Sequence, residues 1–168
     1  MTETSEDVVC VVGLGYVGLP LALAFDEAGL DVVGYDVDEA KTAALSDGTD
    51  PTGEVGDGRL TASNASFTHN PAVIGRADYV IVTVPTPVDD MQNPNLEYVE
   101  ASGRTIGDHI TPGTTVVLES TVYPGATRKV LVPAIEAASG YAVDEEFAIG
   151  YSPERVSPGV EGRGGEDV

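Results

Sequence analysis

A chain of 168 residues, 42% of them hydrophobic, is long enough for one well-buried domain and too short for two of ordinary size. Its 28 acidic residues against 8 basic ones give a formal charge of -20, a field that repels nucleic acid and anionic membrane surfaces and argues against either as a partner. The single cysteine, Cys10, excludes an internal disulfide or a cysteine-based metal cluster, and His69 and His109 share no short metal-ligand spacing, so no metal site is expected.

The opening MTETSED is acidic and polar, unlike the basic start of a signal peptide, and no apolar run approaches membrane-spanning length, so a cytoplasmic location is expected. Lys41 and Lys129 are the only lysines. That scarcity fits a halophilic protein kept soluble in a salt-rich cytoplasm, or simply an acidic cytosolic one. With Trp absent and few aromatics, the core should be built from Val, Ile, Leu and Ala.

Val8 to Val12 is a short continuous apolar run ending in glycine, the pattern of a strand buried on both faces of a parallel sheet. Val17, Leu21, Ala24, Phe25 and Ala28 then recur at helical spacing, closed by Gly29. Asp31 to Tyr35 gives a second strand ending at Asp36, and a helix is expected from about Asp38 to Leu45. Ser46 to Ser66, dense in Gly, Asp, Ser and Thr, reads as a loop with at most a short helical turn.

Ser66 to Thr68 is a weak third strand, and Tyr79 to Val84 a fourth, stopped by Pro85 and Pro87. Asn95 can cap a helix whose positions Leu96, Val99, Ile106 and Ile110 share one face. Thr114 to Leu118 is a fifth strand. Val130, Leu131, Ala134, Ile135 and Ala138 mark another helix, ended by Gly140 and expected to kink at Pro133. Glu146 to Gly150 supplies the last strand, and no sheet signal follows from about Tyr151 onward. Strands alternating with helices in this way predict an α/β fold with a doubly wound parallel sheet covered by helices on both faces, binding its ligand beyond the C-terminal strand ends.

The loop after the first strand, GLGYVG, carries Gly13, Gly15 and Gly18. The first glycine permits a tight turn, the second lets backbone approach a pyrophosphate, the third lets the helix pack closely, and the helix N-terminus offers N–H groups and positive dipole. Asp36, at the end of the second strand, can accept both adenosine ribose hydroxyls and would repel a 2′-phosphate. The combination points to NAD rather than NADP, against the alternative of a merely structural glycine turn. Cys10, inside the first strand among valines, should be a buried small hydrophobe with no role in chemistry.

At the other strand ends, Thr86 stands between two prolines and can contact a cofactor or simply occupy a rigid turn. Glu119, Ser120 and Thr121 follow the fifth strand, and Glu119 could equally be a structural carboxylate. Glu154 and Arg155 follow the sixth strand. A guanidinium there suits an anionic substrate group, but an ordinary surface ion pair would look the same.

Taken in order, GLGYVGLP, YDVDEAK, VPTP, LESTVYPG and YSPERVSPG resemble the UDP-glucose/GDP-mannose dehydrogenase family from about Val8 to Gly159. The PERVSPG ending is similar to the branch acting on UDP-N-acetylhexosamines, since Pro158 stands where the UDP-glucose branch usually has a second glutamate. The resemblance implies a Rossmann-like cofactor domain over residues 1–150 and the start of a connector over 151–168. It implies oxidation of the C6 alcohol of a nucleotide sugar to a carboxylate, with two NAD per sugar; the alternatives are a UDP-glucose or GDP-mannose 6-dehydrogenase and a non-catalytic NAD-sensing module. By motif position, Gly13, Leu14, Gly15, Tyr16, Val17, Gly18, Asp36, Lys41, Thr86 and Thr121 would contact NAD. Thr121 and Glu154 would serve catalysis, and Arg155 and Val156 the sugar.

The family's covalent cysteine, with a lysine and an asparagine, is implied to lie in a central helix and second domain outside this chain. The full enzyme is implied to be a homo-oligomer assembled through that helix, and this segment alone an inactive monomer. The loop Asp47 to Leu60 departs from the family's acidic-proline-leucine pattern, and Asn95 replaces an aspartate.

Overall fold

A computed structural model describes residues 7–153. Six strands, β1 (Val8–Val12), β2 (Asp31–Tyr35), β3 (Ser66–Thr68), β4 (Tyr79–Val82), β5 (Thr115–Leu118) and β6 (Ala148–Tyr151), form one sheet in the order β3-β2-β1-β4-β5-β6. Every pairing is parallel. The strand order reverses between β1 and β4, so the chain leaves those two strands toward opposite sides and opens a crevice at their C-terminal ends.

Continuous apolar strands make sense because both faces of the sheet are covered. Val9, Val11, Val32 and Ile81 point to one side, where they pack with Leu19, Ala22 and Leu23. Cys10, Val12, Val33, Val80 and Val82 point to the other, against Val99, Ile106, Leu131 and Ile135. The helices are α1 (Gly18–Glu27), α2 (Glu39–Ser46), α3 (Asp57–Ala62), α4 (Glu97–His109) and α5 (Val132–Ser139). The three-layer architecture is the predicted doubly wound one; β1, β2 and β3 have the boundaries read in the sequence, and those of β4, β5 and β6 differ by one or two residues.

One expectation needs correction, and another takes a particular form. The buried face of α1 is Gly18, Leu19, Ala22 and Leu23, while Ala24 and Ala28 of the expected stripe are exposed. Because α1 is apolar almost all round, periodicity alone does not choose a face; the close packing of Gly18 on the end of β1 does. Pro133 stands near the start of α5, but the helical backbone runs unbroken into it from the turn before, so its missing N–H leaves a carbonyl of that turn without its usual donor, the disturbance expected of a proline inside a helix. The irregularity falls just before it, as a π-helical turn over Thr127–Leu131 in which the Val132 N–H donates to the Thr127 carbonyl.

The N-cap of α4 is Leu96, which makes no side-chain cap; Asn95 stands one residue earlier, where its Oδ1 accepts from the Glu97 N–H at 2.9 Å. Within the loop before β3, α3 supplies the anticipated helical turn, and the rest is organised by Asp50. Its Oδ1 accepts from the Thr52 amide and hydroxyl, and its Oδ2 from the amides of Val55 and Gly56. Partial burial pushes this carboxyl up, but the Thr52 hydroxyl and the three amides outweigh it and leave the pKa lowered to about 2. Among the described residues no helix is long and apolar enough to cross a membrane, and no group of His, Cys, Asp and Glu could hold a metal ion.

Candidate functional site

The turn between β1 and α1 shows why each glycine is required. Gly13 has φ +97°, and a Cβ there would lie 3.0 Å from the Thr83 carbonyl oxygen. A Cβ on Gly18 would lie 1.7 Å from the Gly13 carbonyl oxygen and 2.5 Å from the Thr83 hydroxyl, so only hydrogen lets α1 sit this close. A Cβ on Gly15 would meet nothing within 4 Å, because that residue faces the open cleft. The N-terminus of α1 has no side-chain cap and no acidic residue in its first turn. Its amides and positive dipole are therefore directed at the cleft, an arrangement suited to a phosphate.

Asp36 follows β2 and is buried beside this turn. Its Oδ2 accepts from the Leu14 amide at 2.9 Å and from Lys41 Nζ at 3.0 Å, and its Oδ1 accepts from the Asp38 amide at 2.9 Å. Lys41 is brought there by α2, whose N-cap Asp38 accepts from the Lys41 amide. Of the roughly four acceptor positions on a carboxylate, three are thus occupied. The expected bidentate grip on a ribose is reduced to one position on Oδ1 unless the Lys41 ammonium yields its place.

The ends of β4 and β5 are tied together by hydroxyls. Thr86 Oγ1 donates to the Thr121 carbonyl at 2.7 Å, and Ser120 Oγ donates to the Val84 carbonyl at 2.7 Å. Since Thr86 has given its only hydroxyl proton to Thr121, it presents acceptor lone pairs to a ligand. Thr83, just beyond β4, is buried and donates to the carbonyls of Val12 and Gly13.

These groups border a cleft of about 260 Å³ that also includes Val84, Pro85 and Glu119. It continues into a second, more apolar cleft of about 440 Å³ bounded by Val12, Tyr35, Val37, Pro85, Tyr98 and Ala101. Gly13, Asp36 and Lys41 belong to both, so the carboxylate stands at their junction. A larger depression, about 590 Å³, lies along α4 and α5 between Arg104, Asp108, Lys129 and Ala137. It is away from the strand ends and has neither a glycine turn nor the Asp36 carboxylate, so volume alone does not identify the site.

Gly13, Leu14, Gly15, Tyr16, Val17, Asp36, Lys41, Thr86 and Thr121 all line the first cleft, while Gly18 packs beneath it. Glu154, Arg155 and Val156 lie outside the described residues. Cys10 is fully buried, and burial pushes its thiol up to about 12, which removes it from thiolate chemistry. The sequence reading missed Thr83 and the second cleft. On α4, Tyr98, Ala101, Ser102 and Thr105 follow helical spacing and so form a face of their own, the signal from which that wall could have been found.

Comparison with known proteins agrees with this geometry. Residues 7–162 match the model of the UDP-glucose/GDP-mannose dehydrogenase family, NAD binding domain. The chain is 46% identical over 152 residues to UDP-N-acetyl-D-glucosamine 6-dehydrogenase of Pseudomonas aeruginosa, covering 90% of this chain and 36% of that protein. It is 44% identical over 151 residues to protein CapL of Staphylococcus aureus, covering 90% of this chain and 35% of that one. Among solved structures, GDP-mannose dehydrogenase from Pseudomonas aeruginosa superposes with a TM-score of 0.81 at 30% identity, over 89% of this chain and 36% of the other. The chain thus spans about a third of the length of these relatives. A glycine turn, a carboxylate after β2 and a reversed strand order, together with a family match across nearly the whole chain, lead to one assignment: it belongs to the UDP-glucose/GDP-mannose dehydrogenase family and is that family's NAD-binding domain.

Proposed function

We propose that this chain is the cofactor half of a nucleotide-sugar 6-dehydrogenase that oxidises the C6 alcohol of a UDP-N-acetylhexosamine to a carboxylate. The observation that carries the reading is the position of Asp36 where the two clefts meet. In this reading the apolar cleft beside Tyr98 would take an adenine, the spare Asp36 position the adenosine ribose, and the α1 N-terminus at Gly15 the pyrophosphate. Thr86 and Thr121 would then hold the nicotinamide half. When bound, NAD would supply the hydride acceptor for C6, two NAD per sugar, and water the second carboxylate oxygen.

The chain's own residues bind and orient. Asp36 and Lys41 hold the adenosine side, the glycine turn cradles the phosphates, and Thr86 accepts from the amide end of the cofactor. Thr121, exposed beside it, is assigned to cofactor contact and to positioning water. Glu154, Arg155 and Val156 are assigned to the sugar side, as the start of a connector over residues 151–168. The UDP-N-acetylhexosamine preference rests on the PERVSPG ending and on the name of the relative from Pseudomonas aeruginosa. A cytoplasmic, salt-adapted, homo-oligomeric full-length enzyme completes the proposal, supported by the charge of -20 and the family assignment.

Substrate-dependent NADH production by the full-length protein tests it. UDP-N-acetylhexosamines should give two NADH per sugar and exceed UDP-glucose and GDP-mannose in kcat/KM. A preference for either of the latter would contradict the substrate assignment.

A further inference from the structure

We infer that Thr83 is a positioning residue for cofactor binding, holding the glycine turn in its phosphate-accepting form although it belongs to neither the turn nor the β2 carboxylate. The inference deepens the cofactor reading and rests on it. Thr83 follows β4, seventy residues from the turn, and its hydroxyl oxygen lies 2.7 Å from the Gly13 carbonyl and 3.1 Å from the Val12 carbonyl. Its own amide donates to the Val12 carbonyl at 2.9 Å. The side chain is buried, so the hydroxyl proton is committed to these carbonyls.

The consequence concerns a single peptide plane. The bond joining Gly13 to Leu14 has its carbonyl held by the Thr83 hydroxyl, while its N–H donates to Asp36 Oδ2 at 2.9 Å. Because the peptide unit is planar, fixing both ends sets the direction in which the turn proceeds to Gly15. Gly18 completes the arrangement, since its α-carbon rests against the same Gly13 carbonyl and the same hydroxyl. Without the hydroxyl, the Gly13 carbonyl loses its inward donor and the plane can rotate, drawing the Leu14 amide off Asp36 and changing the course of the turn at Gly15. Preorganisation of the phosphate cradle, and hence affinity, should fall even when the domain stays folded.

The test compares Thr83→Val, which keeps the shape and removes the hydroxyl, with Thr83→Ser, which keeps the hydroxyl, using NADH fluorescence titration and thermal unfolding. T83V should bind NADH about five- to tenfold more weakly, the scale of one lost hydrogen bond, with T83S close to wild type. Should T83V fail to fold, Thr83→Ala makes the same comparison without a methyl group pressed on the carbonyls. Wild-type affinity in a folded T83V or T83A, with only the unfolding midpoint lowered, would overturn the inference, and so would a T83S affinity as weak as that of T83V. If the wild-type chain itself failed to bind NADH, the cofactor reading would fall first and this inference with it.

Discussion

Asp36 accepts a hydrogen bond from the Leu14 amide at 2.9 Å, so the carboxylate that would receive the ribose also anchors the turn that would receive the pyrophosphate. Binding and loop shape are therefore coupled through one side chain. Asp36→Ala should remove both, leaving the buried Leu14 amide and the Lys41 ammonium without their acceptor at a cost of about 1–3 kcal/mol. NADH at a concentration that saturates the wild-type chain should then give little or no rise in the unfolding midpoint. The gap between NADH and NADPH should narrow, because Lys41 is released toward a 2′-phosphate. Full NADH protection of Asp36→Ala would remove Asp36 from the ribose role.

The glycines make a paired prediction. Gly18→Ala places a methyl 1.7 Å from the Gly13 carbonyl oxygen and should destabilise the fold, by at least the 1–3 kcal/mol usual for overpacking, or about that and more. Gly15→Ala meets nothing within 4 Å and should leave the unfolding midpoint nearly unchanged while blocking the approach of a pyrophosphate. Calorimetry and NADH titration on the two variants separate the effects. Equal loss of stability in both would contradict the division of roles among the glycines.

How much of this could be read from residues alone follows from the range of each interaction. The glycine turn and Asp36 were legible because a strand, a turn, a helix and a second strand follow one another within one short segment. The alternation also pointed to a doubly wound parallel sheet but not to the order of its strands, and the motifs at the ends of β4 and β5 were read from the family resemblance. Thr83 was not legible, because a hydroxyl donating to a carbonyl seventy residues away leaves no periodic trace. The buried face of α1 was misread because GLPLALAF offers apolar residues on every side, and the choice was made by Gly18 packing rather than by pattern. The α4 wall of the second cleft was hidden because Tyr98, Ala101, Ser102 and Thr105 look like the solvent face of α4 until β1, β2 and α4 are brought together.

Asp50 gives a pH dependence with a defined sign. Its folded pKa, lowered to about 2, lies below the ordinary carboxylate value near 3.8, so its contribution to stability is present above that ordinary value. It is lost as pH falls from about 4 toward 2. Asp50→Asn should lower the unfolding midpoint at neutral pH, and the difference from wild type should shrink across that acidic window. A difference that stays constant from neutral pH to pH about 2 would show that the charge of the loop carboxylate does not matter.

Salt should stabilise this protein. The exposed pairs Arg59–Glu27, Arg104–Glu100 and Arg128–Asp144 contribute little, because water screens them, and salt weakens them further. Against them stands the mutual repulsion behind a net charge of -20, which salt also screens. With 28 acidic and 8 basic residues, relief of repulsion should win. The unfolding midpoint should rise between about 0.1 M and 1 M KCl, as the screening length shortens from about 10 Å to 3 Å. A falling midpoint would contradict the salt-adapted reading.

The most direct test of the central claim is titration of the purified chain with NADH and NADPH, followed by nicotinamide fluorescence. A cleft with Asp36 at the adenosine ribose should bind NADH, and bind it at least about tenfold more tightly than NADPH, because a buried carboxylate repels the 2′-phosphate. Absence of binding, or tighter binding of NADPH, would contradict the account.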